Sequence, residues 1–126
     1  MLKFYKCEGC GNFITFLAPK TACTPKCCGE TMAELLPNSS DGAFEKHLPV
    51  ISIEEDLVTI NVGSVEHPMT NEHYIEWIIL ETANGYIKKD LHPEDKPMMQ
   101  YKLIGDEKVI SAYSYCNLHG LYKKDI

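Results

Sequence analysis

Five of the six cysteines lie within residues 7–28, and the sixth, Cys116, stands alone near the far end of the 126-residue chain. A stretch that short cannot bury enough apolar surface to hold itself together, so it needs a staple. The N-terminal sequence MLKFYKCEGC lacks the apolar core of a signal peptide, which makes a cytoplasmic protein the expectation. In that compartment thiols stay reduced, and clustered cysteines hold a metal more often than they form disulfides.

The spacing supports the metal reading. Cys7-Glu-Gly-Cys10-Gly is a knuckle in which two thiolates sit three residues apart, with a glycine after the second to permit a tight backbone turn. Cys27-Cys28-Gly29 supplies a second pair. Adjacent cysteines are an unusual ligand pair, because neighbouring side chains leave the backbone in different directions. Cys23 is a competing donor through Cys23-x-x-x-Cys27, but the pattern favours Cys7, Cys10, Cys27 and Cys28. Four thiolates in tetrahedral geometry suit zinc or a single iron.

Residues 1–36 therefore read as a small metal-stapled module, and PNSSDG (37–42) as a turn-rich linker. From residue 43 to 126 the pattern is of strands. PVISIEE and DLVTINVG flank an acidic turn, and HYIEWIILETANGYIKKD carries Ile75, Trp77 and Ile79 on one face before the hairpin dipeptide Asn84-Gly85. MMQYKLIG and KVISAYSYC are expected to pair as a hairpin through Gly105-Asp106. No segment sustains a helical period. The fold class expected is all-β, with six or seven short strands forming a sandwich.

Composition narrows the function classes. Hydrophobic residues make up 44% and charged residues 24%, as in globular proteins. The net charge is −6 and no basic stripe is present, which argues against nucleic acid as a partner. No apolar run reaches the roughly 20 residues needed to cross a bilayer, so no membrane partner is expected.

Cys116 and His119 lie three apart in SYCNLHGLY and need partners of their own. His47 precedes a strand in EKHLPVI, and His67 and His73 flank the turn in VEHPMTNEHYI. All fall at predicted strand ends or connections, which cluster at the ends of a sandwich. His92 lies in a charged Pro-rich loop and reads as a surface residue. Four imidazoles and one thiolate exceed the four ligands of a structural zinc site, and they fit a metal that keeps one position open for a small molecule. Nitrogen with one sulfur fits iron better than magnesium or calcium. A blue-copper site would place an axial methionine soon after the Cys–His pair, and GLYKKDI has none.

Together these motifs resemble the desulfoferrodoxin family, the two-iron superoxide reductases. CEGCG and CCGE match a desulforedoxin-like N-terminal module, and EKHLPVI, GSVEHPMTNEHYIEWI and CNLHGLY match the active-site segments in order. The resemblance implies that the sandwich is immunoglobulin-like and that two iron ions bind per chain, with zinc a possible occupant of the four-cysteine site. Cys7, Cys10, Cys27 and Cys28 would hold the first iron. His47, His67, His73 and His119 would give four equatorial nitrogens to the second, with Cys116 axial. Lys46 would place positive charge at the open sixth position, and Glu45 beside it would serve as a ligand to the oxidised metal. The implied activity is one-electron reduction of superoxide to hydrogen peroxide, with a rubredoxin-like electron donor and a homodimeric assembly. Cys23 departs from the family pattern and reads as a spare residue.

Overall fold

The computed structural model describes residues 2–126. The chain divides into two compact units, Met1–Leu36 and Pro37–Ile126.

In the first unit β1 (Tyr5–Lys6) is flanked by β2 (Phe13–Ile14) and β5 (Ala33–Glu34), while β3 (Lys26–Cys27) pairs with β4 (Glu30–Thr31). Its core cluster is Tyr5, Cys7 and Met32, with Ile14 and Cys27 against them, and Phe4 is buried as well. So few buried residues cannot offset the ordering entropy of the whole unit, which leaves the staple to the thiols.

The second unit is a sandwich of two antiparallel sheets. One has the order β10 (Met98–Lys102), β7 (Leu57–Val62), β6 (Pro49–Glu54). The other runs β12 (Gly120–Asp125), β11 (Val109–Cys116), β8 (Ile75–Thr82), β9 (Gly85–Asp90). The alternation of LVTINV sends Val58, Ile60 and Val62 inward, where they meet Ile78, Leu80, Ala112 and Cys116 from the opposing sheet. Val58, Ile60, Val62, Ile75, Ile78 and Leu80 are fully buried, each worth about 1.5–3 kcal/mol in removed apolar surface.

Three local expectations are corrected. MMQYK does not form a hairpin with KVISAYSYC: β10 pairs with β7 in the other sheet, and β11 pairs with β8 and β12. The turn at Gly105-Asp106 thus carries the chain between sheets. Ile75 does not share a face with Trp77 and Ile79. Tyr115 opposes Trp77 while Cys116 opposes Ile75, so the ladder skips Glu76, and this bulge moves Ile75 into the core with Ile78 and Leu80. Finally GLYKKD, a segment not anticipated as a strand, is β12. The Asn84-Gly85 signal does close a hairpin, with Thr82 opposite Gly85.

The one helix among the described residues is a single turn, α1 (Phe44–His47). It sits against the end of β7 because Gly63 has no side chain: a Cβ there would lie 2.7 Å from the Glu45 carbonyl oxygen. The amide of Val65 donates to that same oxygen at 2.8 Å. Residues 37–42 lie along β12. Asn38 brackets Lys123 through its side-chain amide, donating to the Lys123 carbonyl at 3.0 Å and accepting from its amide at 2.9 Å.

Candidate metal centres

In the first unit the side chains of Cys7, Cys10, Cys27 and Cys28 bring their sulfurs within 4.8 Å of one another. Four sulfurs placed about 2.3 Å from one ion in tetrahedral array would stand about 3.8 Å apart. The Cys10 and Cys27 sulfurs are 3.5 Å apart, and Asn12 Nδ2 approaches Cys27 Sγ at 3.9 Å. The adjacent pair is explained by the turn that contains it. Cys27 ends β3, and Cys28 (φ 53°) and Gly29 (φ 77°) form the two-residue connection to β4, both left-handed. This turn swings the Cys28 side chain to the same side as Cys27. Cys23 is exposed and lies outside the cluster.

The thiols perturb one another. The backbone amide of Cys10 donates toward Cys7 and holds its thiol down to about 7. The thiol of Cys28 is pushed up to about 12, first by its contact with Cys10 and then by Cys7 and Cys27. Four adjoining thiolates cannot coexist without a cation, and a bound metal removes that conflict by stabilising every thiolate at once.

The second cluster joins elements far apart in sequence. His47 ends α1, His67 and His73 lie on the β7–β8 connection, Cys116 ends β11, and His119 occupies the turn to β12. Ligand atoms of His47, His67, His73 and Cys116 fall within 4.8 Å of one another. His119 completes the group through Nδ1, which is 3.0 Å from His47 Nε2 and 3.8 Å from Cys116 Sγ. The four rings form a cycle: centroids are 4.5 Å apart for His47–His67 and His67–His73, 5.3 Å for His73–His119, and 4.7 Å for His119–His47. His47 and His73 stand across it at 6.0 Å.

Protonation chemistry shows that this cycle fits a cation. His47 Nδ1 lies 2.7 Å from the Ala43 carbonyl, and His67 Nδ1 lies 2.6 Å from the Pro68 carbonyl. A carbonyl only accepts, so both Nδ1 atoms carry the proton and both Nε2 atoms present lone pairs. Those lone pairs face each other at 3.1 Å. Protonating one is opposed by burial, which brings His67 down to about 4 and also lowers His47. His73 Nε2 is buried with no hydrogen-bond partner among the described residues. A metal ion about 2.1 Å from each nitrogen would space neighbouring nitrogens at right angles by about 3.0 Å, which matches the 3.1 and 3.0 Å separations around His47. Burial pushes the Cys116 thiol up, so a cation is also what would ionise it.

Lys46 and Glu45 lie on α1 beside this cluster, both exposed. The field of Lys46 reaches the rings: after burial and His119, its charge is a further cause of the lowering of His73. Glu45 lines a groove of about 450 Å³ with Phe44, Pro49, Val50 and Ile126, and is not among the clustered ligand atoms. His92 is exposed and pairs with Asp95 at 3.5 Å.

The sequence reading missed the residues that support the ligands. Ser114 Oγ donates to the His47 carbonyl at 2.8 Å, and the ring of Tyr122 stacks on His47. Alternation along GLYKKD would have separated Tyr122 from Leu121 and Lys123, had that segment been read as a strand.

Residues 39–125 match the family model described as Desulfoferrodoxin. The chain is 43% identical to a desulfoferrodoxin of Syntrophotalea carbinolica over 98% of this chain and 96% of that one. It is 32% identical to a superoxide reductase of Pyrococcus abyssi, covering 70% of this chain and 91% of that one. Among solved structures, superoxide reductase from Treponema pallidum superposes with a TM-score of 0.85 at 34% identity, over 99% of both chains. Sequence, fold and clustered donors thus agree, and the chain belongs to the desulfoferrodoxin family.

Proposed function

We propose that this protein is a superoxide reductase with two iron centres, and that its substrate meets the centre formed by His47, His67, His73, His119 and Cys116. The observation that carries the reading is the ring of four histidines closed by a buried thiol, with uncompensated lone pairs pointing inward and a lysine at its edge. Likeness to superoxide reductases over the sandwich supports it.

Iron bound at this centre supplies the one electron that, with two protons, converts superoxide to hydrogen peroxide. The chain's own residues do the rest. The Ala43 and Pro68 carbonyls fix the tautomers of His47 and His67, so both present a lone pair inward. Ser114 holds the His47 backbone in place. Lys46 draws the small anion to the cluster by its charge, and protons reach the product from solvent past it. The chain as a whole carries −6, but charges farther than a Debye length, about 8–10 Å, are screened, so the local lysine governs approach. Glu45, on the same helical turn, is the residue that would bind the metal in its oxidised state.

Cys7, Cys10, Cys27 and Cys28 hold the first iron, or zinc, and make residues 1–36 fold as a module separate from the sandwich of residues 43–126. A rubredoxin-like protein as electron donor, a homodimer and a cytoplasmic setting complete the proposal on family resemblance. No helix among the described residues is long and apolar enough to cross a membrane.

Visible spectra before and after dithionite, together with superoxide consumption by the reduced protein, test the reading. Two thiolate-to-iron bands are expected, both bleached by dithionite, one missing in Cys116→Ser along with activity. An iron-loaded protein whose Cys116→Ser variant keeps both bands and full activity would overturn it.

A further inference from the structure

An imidazole is held to a backbone by a soft terminal torsion, so a ligand histidine keeps its plane through the hydrogen bond of its other ring nitrogen, for His47 that of Nδ1 to the Ala43 carbonyl, and through what packs against its face. For His47 that surface is Tyr122. The two rings stack with centroids 4.8 Å apart and 28° between planes. Tyr122 is fully buried and is itself held on two sides. Its hydroxyl pairs with Ser40 Oγ at 2.7 Å, and Phe44 meets its ring edge-on at 6.0 Å and 87°. Residues 37–42 then close over it. A Cβ on Gly42 would lie 2.5 Å from the Tyr122 hydroxyl and 2.9 Å from His119 Cγ, so the backbone at Gly42 rests against the tyrosine and a second histidine at once. Asn38 pins the start of this segment to β12 by bracketing Lys123.

We propose that Tyr122 is a positioning residue for the histidine-rich centre, and that Ser40 and Gly42 brace it. PNSSDG, which reads as a linker, is in this account part of the centre's supporting shell. The inference rests on the assignment of His47 and His119 as ligands and adds the element that fixes the plane of His47 and abuts His119. Because His47 directly follows Glu45 and Lys46, the same stack sets where the single turn α1 places those two side chains. The ring performs the positioning, and the hydroxyl keeps the ring from swinging away.

The test measures iron loss to an excess of chelator from the purified two-iron protein, following the Cys116-dependent band and the four-cysteine band separately. The four-cysteine band is the internal control within each chain. Tyr122→Leu keeps an apolar side chain but removes the flat face, and the histidine-rich centre should lose iron about 10–100-fold faster. The four-cysteine band should be unchanged. Tyr122→Phe and Ser40→Ala should each accelerate loss only a few-fold: both cut the Ser40–Tyr122 hydrogen bond, and Ser40→Ala, which also removes the acceptor of the Gly42 amide, should do so at least as much. Gly42→Ala should shift the Cys116-dependent band by pressing on both rings. Release within twofold of wild type in Tyr122→Leu, or equal acceleration at both centres, would overturn the proposal. If Tyr122→Leu does not fold, Gly42→Ala with an unshifted band and Ser40→Ala with an unchanged rate would overturn it instead. His47→Ala separates the two claims. If it keeps the wild-type band, the ligand assignment itself fails, whereas loss of the band there with an indifferent Tyr122→Leu refutes only the positioning role.

Discussion

The two clusters solve one problem, gathering donors for a metal, in opposite ways. In the first unit all four thiols come from 22 consecutive positions, Cys7 to Cys28, and two of them are exposed. The hydrophobic cluster there consists of Tyr5, Met32 and one of the thiols themselves, Cys7. In the sandwich the donors run from His47 to His119, and His47, His67 and Cys116 are buried. There the packed sheets deliver each ligand to a strand end. In the first case metal makes the fold, and in the second the fold makes the site. The difference teaches that cysteine spacing alone can report a site of the first kind, whereas a site of the second kind exists only once two sheets have closed.

The sharpest way to break this contrast is to remove one ligand from each. Cys10→Ser should cost the first unit its structure, since apparent binding energies of about 10–16 kcal/mol for structural zinc are folding energy in such modules. Backbone amide signals of residues 1–36 should collapse to unfolded positions while those of the sandwich keep their dispersion. His67→Ala should do the reverse. It should drop iron from two to one per chain and abolish superoxide reduction, with the sandwich still folded around Val58, Ile60, Ile78 and Leu80. A dispersed first unit in Cys10→Ser, or an unfolded sandwich in His67→Ala, would erase the distinction.

Lys46 sharpens the comparison on the side of the sandwich. It is the nearby cation whose field is felt at His47 and His73. Lys46→Ala should slow the second-order reaction with superoxide by about tenfold at low ionic strength and flatten its salt dependence. The iron content and the spectrum should stay as they are. Stopped-flow or pulsed generation of superoxide gives the rate, and an unchanged salt slope would remove Lys46 from the reaction.

These contrasts also explain what could be read from the chain. Cys7, Cys10, Cys27 and Cys28 were legible because short-range spacing is itself the geometry. His47, His67, His73 and His119 were legible as ends of predicted strands, without any sign of how their rings face one another. The β10 partner was misjudged because a turn dipeptide such as Gly105-Asp106 reports a reversal and not which sheet the next strand joins. Ile75 was put on the wrong face because a bulge at Glu76 leaves no trace in an alternating pattern. Tyr122 and Ser40 were invisible as partners for a simpler reason: they are 82 residues apart and meet only through the fold.

The smallest expected effect concerns a carboxylate remote from both metals. Glu107 is buried on the β10–β11 connection, where Thr82 Oγ1 donates to it at 2.6 Å, Tyr101 OH at 3.1 Å and the Ile104 amide at 3.3 Å. These donors, Thr82 first, hold its carboxyl below the usual carboxylate range. A depressed value in the folded state means the unfolded chain binds its proton first as acid is added. The stabilisation from Glu107 is therefore complete above the ordinary carboxylate value, erodes as pH falls through it, and is gone below the lowered value. Glu107→Gln removes this titration, so its stability should fall less steeply than wild type between about pH 5 and pH 3. The readout is the difference in denaturant midpoint between the two proteins at each pH, which cancels acid effects shared by both, metal loss included. Below the lowered value the two curves should converge, with wild type ahead at neutral pH. Parallel curves would mean that Thr82, Tyr101 and Ile104 serve a neutral group equally well, and that the charge on Glu107 adds nothing to this corner of the sandwich.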